Sequence, residues 1–215
     1  MPTIFSRIWI GLLLPILLAG CGSDTGGRGD IPIIRSPNEY NDANARSAEL
    51  WQGAAADLQA NGELSEQSVK DLREAARLFE GMIAYEPTLI SSHSGLGQIY
   101  HMLGEYEKAI ASLKQAVALP ARETPERVAL VSQSLHLMSL CHMQLRQYDE
   151  ALKAAEQAMI LVPDHPDYMA AAASAHLQLG NVGQARKFVD AALKVDPANS
   201  AARGLDKLLK ASAEG

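Results

Sequence analysis

One seven-residue phrase recurs three times in this chain and constrains its fold more than any other feature. It reads Leu103-Gly104-Glu105-Tyr106-Glu107-Lys108-Ala109, then Leu145-Arg146-Gln147-Tyr148-Asp149-Glu150-Ala151, then Leu179-Gly180-Asn181-Val182-Gly183-Gln184-Ala185. Each phrase has the form of a turn followed by a helix start. An alanine follows seven residues later in every copy (Ala116, Ala158, Ala192), and then a proline (Pro120, Pro163, Pro197). Arg146 and Gly180 are 34 residues apart, as are Pro163 and Pro197. A unit of this length is a helix–turn–helix that cannot bury its own apolar face, so neighbouring units must stack into a continuous core. The prolines end each second helix, because proline donates no backbone hydrogen bond and disfavours helix in the residue before it. The expected fold class is all-α.

The 34-residue period, with Leu96, Gly97, Tyr100, Ala109, Leu113, Ala116 and Pro120 in the first complete repeat, resembles the tetratricopeptide repeat (TPR) family. The resemblance implies a solenoid, a right-handed superhelix of helix pairs whose first helices line an inner groove. Small residues at Gly97, Ser139 and Ala173, and at Ala109, Ala151 and Ala185, allow the two helices of each pair to approach closely.

The repeats divide the chain. Residues 88–197 hold three repeats, and 42–87 a divergent TPR-like pair with Ala75, Phe79, Met82 and Pro87 in its second helix. The first helix of that pair is expected over Asn44–Ala60, with Leu50, Trp51, Ala54 and Leu58 on one face. Pro120 and Pro163 are 43 residues apart, and Thr124-Pro125 reads as an N-cap and first helical position, so the extra length is expected to lengthen the first helix of that repeat. Residues 198–215 are expected to form a capping helix and tail, since a terminal unit needs a polar outer side.

Ahead of the repeats, Arg7 precedes an apolar run over Ile8–Leu18 that is shorter than the ~20 residues a membrane-crossing helix needs. Residues 1–20 therefore read as a cleaved signal peptide. Leu18-Ala19-Gly20-Cys21 resembles the lipobox of bacterial lipoproteins, which implies that Cys21 is acylated and becomes the new N-terminus. Several acyl chains anchor a protein where a single one does not. Gly22, where an aspartate would favour inner-membrane retention, implies an outer-membrane location facing the periplasm. Residues 21–41, rich in glycine and proline, read as a flexible tether. The Arg28-Gly29-Asp30 tripeptide within it is too short a motif to carry an adhesive function.

Function in such a solenoid is read from the groove. The family's inward positions fall on Ser91, Ser94, Gln98 and His101, on Gln133, His136, Leu140 and Met143, and on Asp167, Ala170, Ser174 and Leu177. None is Lys or Arg, so the clamp by which some TPR domains hold a terminal carboxylate is not expected; a carboxylate must be met by charged donors. Leu140, Met143 and Leu177 point instead to a protein partner, an amphipathic helix or extended segment with apolar anchors. The alternative is that the chain's own N-terminal helix covers them. Lipid-anchored TPR proteins resemble the pilotins of type IV pilus systems and the lipoprotein of the tight-adherence pilus apparatus. That likeness implies a secretin or pilus component as partner. An adaptor for periplasmic cell-wall hydrolases or for outer-membrane protein assembly is the alternative within the class.

Other classes find little support. A net charge of −6 repels nucleic acid. Cys21 and Cys141 are the only cysteines, so no disulfide framework exists, and Cys141 lies in an apolar stretch as a buried thiol would. The six histidines, at 93, 101, 136, 142, 165 and 176, show no three- or four-residue spacing that would place two zinc ligands on one helix face. His142 and His176 occupy the slot of Tyr100 and are expected to pack, whereas His165 is expected to be solvated. No nucleophile elbow or phosphate-binding loop is present, so no enzyme, cofactor or metal is expected; a hydrolase with an unrecognised site is the remaining alternative.

Overall fold

The computed structural model describes residues 31–120 and 124–212. The signal peptide, Cys21 and Arg28-Gly29-Asp30 lie outside the described residues. Nine helices follow one another among those described: α1 (Pro37–Asn61), α2 (Glu66–Tyr85), α3 (Ile90–Met102), α4 (Tyr106–Ala118), α5 (Pro125–Gln144), α6 (Tyr148–Leu161), α7 (Pro166–Gln178), α8 (Val182–Val195) and α9 (Ser200–Ala211). Each packs on the next through a short turn, so odd and even helices run in opposite directions. The odd helices also touch one another, α3 on α5, α5 on α7 and α7 on α9, and form the inner layer. This is the expected all-α solenoid.

The three turn phrases share one conformation. Gly104, Arg146 and Gly180 all take positive φ, at 73°, 57° and 79°. This left-handed residue lets the chain reverse between paired helices, and glycine adopts it without steric cost. The small residues do what their positions require. A Cβ added at Gly97 would stand 2.5 Å from Leu113 Cγ, and Ser139, Ala109, Ala151 and Ala173 are fully buried. Thr124 caps α5 by accepting from the Arg127 amide at 3.2 Å, and α5 runs 20 residues against 13 in α3 and α7. The extra length between prolines is therefore partly helix, as expected.

The N-terminal boundary differs from the sequence expectation. Helix α1 starts at Pro37, inside the stretch assigned to the tether, because Ser36 caps it by accepting from the Glu39 amide and Pro37 supplies a preformed first turn. The chain before it also packs. Pro32 lies against Gly81, where an added Cβ would come 2.5 Å from the Pro32 carbonyl oxygen. At the other end Asn199 caps α9, its Oδ1 accepting from the Ala202 amide at 2.9 Å. Leu209 and Ala202 of α9 are buried, Leu205 packs beside them, and the residues Ala201, Arg203, Lys207 and Lys210 are exposed on the other side, as a cap requires.

Candidate protein-binding groove

The inner layer sets which side chains are open. In α5, Val131, Ser132, Ser134, Leu135, Met138, Ser139, Cys141 and His142 are buried and occupy one half of the helix circumference. At 100° per residue, Gln133, His136, Leu140 and Met143 all fall on the other half, as the sequence register places them. Gln133 is exposed and the other three are half-buried. Gln98 on α3 and Asp167 and Ser174 on α7 continue this face.

Three expected groove residues are turned away from it. Ser94 is buried between α3 and α5, and its hydroxyl accepts from Ser134 at 3.1 Å. Ala170 is buried against Ala192 and Ala202. Leu177 packs with Ala173, Val189 and Leu209. The cause of the last two is the capping helix: α9 stands on α7 where the next repeat's first helix would stand, and it takes up the apolar side chains that a free end would present. His101 is half-buried, edge-on to the Tyr106 ring of its own repeat at 5.8 Å.

His136 belongs to a ring cluster centred on Tyr168. Its imidazole lies 5.1 Å from Tyr168, which also stacks with His165 at 4.0 Å, and the Tyr168 hydroxyl donates to Ser132 at 3.2 Å. His165 stacks on the Tyr168 ring three residues later while its side chain stays 38 % exposed, so it is both partly packed and solvated. The Nδ1 atoms of both His136 and His165 are buried without a hydrogen-bond partner among the described residues. Burial pushes the pKa of His136 below its ordinary value, Asp167 opposes that shift, and His165 and His101 add to it. His142 and His176 pack as expected. The former pairs with Gln147 at 2.7 Å and the latter stacks on Phe188 at 5.5 Å. Burial pushes the Cys141 thiol up to about 12, which leaves it protonated and inert.

Sequence reasoning missed the first junction. Between α1 and α3 lies a cleft of about 150 Å³ lined by Asn44, Ser47, Ala48, Trp51, Phe79, Gly95, Gln98 and Ile99. A Cβ on Gly95 would meet the Phe79 ring at 2.4 Å, so the absence of a side chain there lets the ring wedge beneath the cleft floor. Trp51 stands on its wall, 37 % exposed. The available signal was the 44, 48, 51, 55 spacing on α1, which aligns a Trp with small residues on a face separate from the buried Ala43, Leu50 and Ala54.

Basic residues are sparse on the three first helices of the repeats. Helices α3, α5 and α7 together contain one Lys or Arg, Arg127. It sits in the first turn of α5 with its guanidinium donating to the Leu119 carbonyl at 3.3 Å. Among the described residues no group of three or more His, Cys, Asp or Glu is placed to hold a metal ion, and no helix is long and apolar enough to cross a membrane.

Comparison with known proteins agrees with the helix pairing. Models of the tetratricopeptide repeat match residues 142–209 and 91–119. No curated protein matches the chain. Among solved structures, a tetratricopeptide repeat protein from Parabacteroides merdae is 18% identical over 80% of this chain and 59% of its own, with a TM-score of 0.61. PilF of Pseudomonas aeruginosa is 16% identical over 80% of this chain and 86% of its own, with a TM-score of 0.53. The second TPR domain of the human RPAP3 protein, in complex with an HSP70 peptide, is 21% identical over 56% of this chain and 94% of its own, with a TM-score of 0.50. At such identities the likeness is one of fold.

Proposed function

From an all-α solenoid that carries tetratricopeptide repeats at 91–119 and 142–209, we propose a lipid-anchored scaffold of the bacterial outer membrane, facing the periplasm. It holds a neutral, apolar-anchored segment of a protein partner in its inner groove and thereby assists assembly of an envelope machine such as a secretin channel. The observation that carries this reading is the sparsely charged inner face, in which His136, Leu140 and Met143 are half-buried on α5, Asp167 contributes a carboxylate from α7, and a cleft walled by Trp51 opens beside Gln98. A cleft of that volume fits one ring or branched aliphatic side chain, since cavities of about 150 Å³ accept benzene. The peptide held by the RPAP3 domain and the shared fold of PilF support the reading. The lipobox at Cys21 supplies the anchor.

The test is photo-crosslinking in cells from positions 136, 143 and 48, with mass-spectrometric identification of the captured chain. A secretin or pilus component is the expected product. A cell-wall hydrolase or a barrel-assembly factor would transfer the groove to the adaptor role, and the absence of an adduct at all three positions would remove the groove as a binding site.

A further inference from the structure

The exposed apolar side chains are not scattered. Because consecutive helices are antiparallel, the N-termini of the odd helices and the C-termini of the even ones share one edge of the solenoid. Of nine exposed large apolar residues among those described, six belong to that edge: Ile31, Ile33, Tyr85, Leu89, Ile160 and Val195. Tyr85, Ile160 and Val195 end α2, α6 and α8 or stand one residue from the end, and Leu89 caps α3. Ile31 and Ile33 are brought to the same place by Pro32, which lies on Gly81 of α2. Tyr85 is one turn further along the same face, about 6 Å away. Ile33 and Ile160 are 73 % and 77 % exposed. Leu58 and Val182 stand at the opposite edge, and Trp51 lines the cleft.

We propose that this edge seats on the lipid surface, so that the solenoid lies against the membrane with its groove held parallel to it. The inference rests on the reading of Cys21 as the anchor. Ile31 follows Cys21 by ten residues in the sequence, so covalent geometry keeps it within at most about 35 Å of the acylated residue. Since a 13-residue helix is about 20 Å long, the edge that bears Ile31 is within easy reach of the lipid and the opposite edge is further by one helix length. So close a covalent attachment raises the effective concentration of the edge at the surface, and shallow insertion of a few apolar side chains is then enough to orient the body. Among the described residues along the edge, Glu39, Glu86, Glu126, Asp164, Asp167 and Asp196 outnumber Arg35, Arg127, Lys194 and Arg203. Its contact is therefore with zwitterionic lipid, and anionic headgroups weaken it.

The test reconstitutes the full acylated protein into vesicles of phosphatidylethanolamine and phosphatidylcholine. Single cysteines introduced as Ile33→Cys, Ile160→Cys or Leu58→Cys carry an environment-sensitive fluorophore, with the buried Cys141 left unlabelled. Lipids with brominated acyl chains are expected to quench positions 33 and 160 and leave position 58 unchanged. Adding phosphatidylglycerol is expected to reduce the effect, and the pair Ile33→Glu and Tyr85→Glu to remove it at position 160. Equal quenching at all three positions, or none at 33 and 160 while the protein still floats with the vesicles, overturns the seated edge and leaves the anchor intact. If the native protein fails to float, as Cys21→Ser is expected to fail, the anchor itself is wrong and the edge proposal falls with it.

Discussion

At the scale of single residues, two side chains occupy positions that cost the fold stability. Arg146 sits at φ 57° where the equivalent turns use Gly104 and Gly180. A left-handed conformation costs an L-residue roughly 1–2 kcal/mol, while glycine adds about 0.5–1 kcal/mol of entropy to the unfolded chain. Arg146→Gly is therefore expected to raise stability by about 0.5–1 kcal/mol, read from urea unfolding; a loss would mean that the arginine side chain makes contacts worth more than the turn strain. The second is His136, whose pKa burial holds below the ordinary 6.5. Above that value both folded and unfolded chains are neutral at this site and pH has no effect through it. As pH falls through 6.5 the unfolded chain takes up a proton that the fold refuses, so stability declines until the folded imidazole is itself protonated. His101, lowered by burial, acts in the same direction. The melting temperature is expected to drop between about pH 7.5 and pH 5.5, and His136→Gln to flatten that drop; an unchanged slope in the variant would assign the pH dependence to other groups.

At the scale of elements, helix pairing depends on contact distances too short for any added atom. Leu113 is fully buried and cannot withdraw from a Cβ placed 2.5 Å away on Gly97. Overpacking of this kind costs roughly 1–3 kcal/mol, against a helix-propensity gain of about 0.5–1 kcal/mol. Gly97→Ala is expected to destabilise by about 1–2 kcal/mol, and a neutral result by calorimetry would show that α3 and α4 can separate freely. Such pairing was legible in the sequence because Gly97, Ser139 and Ala173 recur in register with the turns. The start of α1 was not. Ser36, Pro37 and Glu39 form a capping signal that was masked by the glycine- and proline-rich residues before them. On the groove side, turns at both ends fix the register of α5, which places Gln133, His136, Leu140 and Met143 opposite its buried half. Ala170 and Leu177 were misplaced because their burial depends on α9, an element outside the repeat that defines the register. The Trp51 cleft was missed for the corresponding reason at the other end, since α1 matches the repeat pattern too weakly to transfer inward positions.

At the scale of the whole molecule, a solenoid has two ends and each must be closed. The N-terminal end is closed by a long α1 of 25 residues with the Pro32 strap beyond it, and the C-terminal end by α9. The cap is joined to α8 by Arg186, which pairs with Asp206, an aspartate that also holds Lys210 at 2.7 Å. These partly exposed ion pairs contribute little by themselves. The closure comes from Leu209 and Ala202, which cover Val189, Ala192, Ala170 and Leu177. Stacked repeats are stabilised through nearest-neighbour interfaces, so loss of the cap acts mainly on α7 and α8 and leaves α3–α6 folded. Leu209→Asp places a charge without a partner at that interface, and the cost of burying it unpaired is large enough to detach the cap. The variant is expected to unfold in two steps where the native protein unfolds in one, with the first step reported by hydrogen exchange in α7–α9. Its uncovered Val189 and Leu177 face is expected to produce concentration-dependent association by sedimentation. Groove crosslinking from position 136 or 143 should persist in the variant. Loss of both the first-step separation and the crosslinks would show that the solenoid is a single cooperative unit, in which the cap at one end controls the groove in the middle.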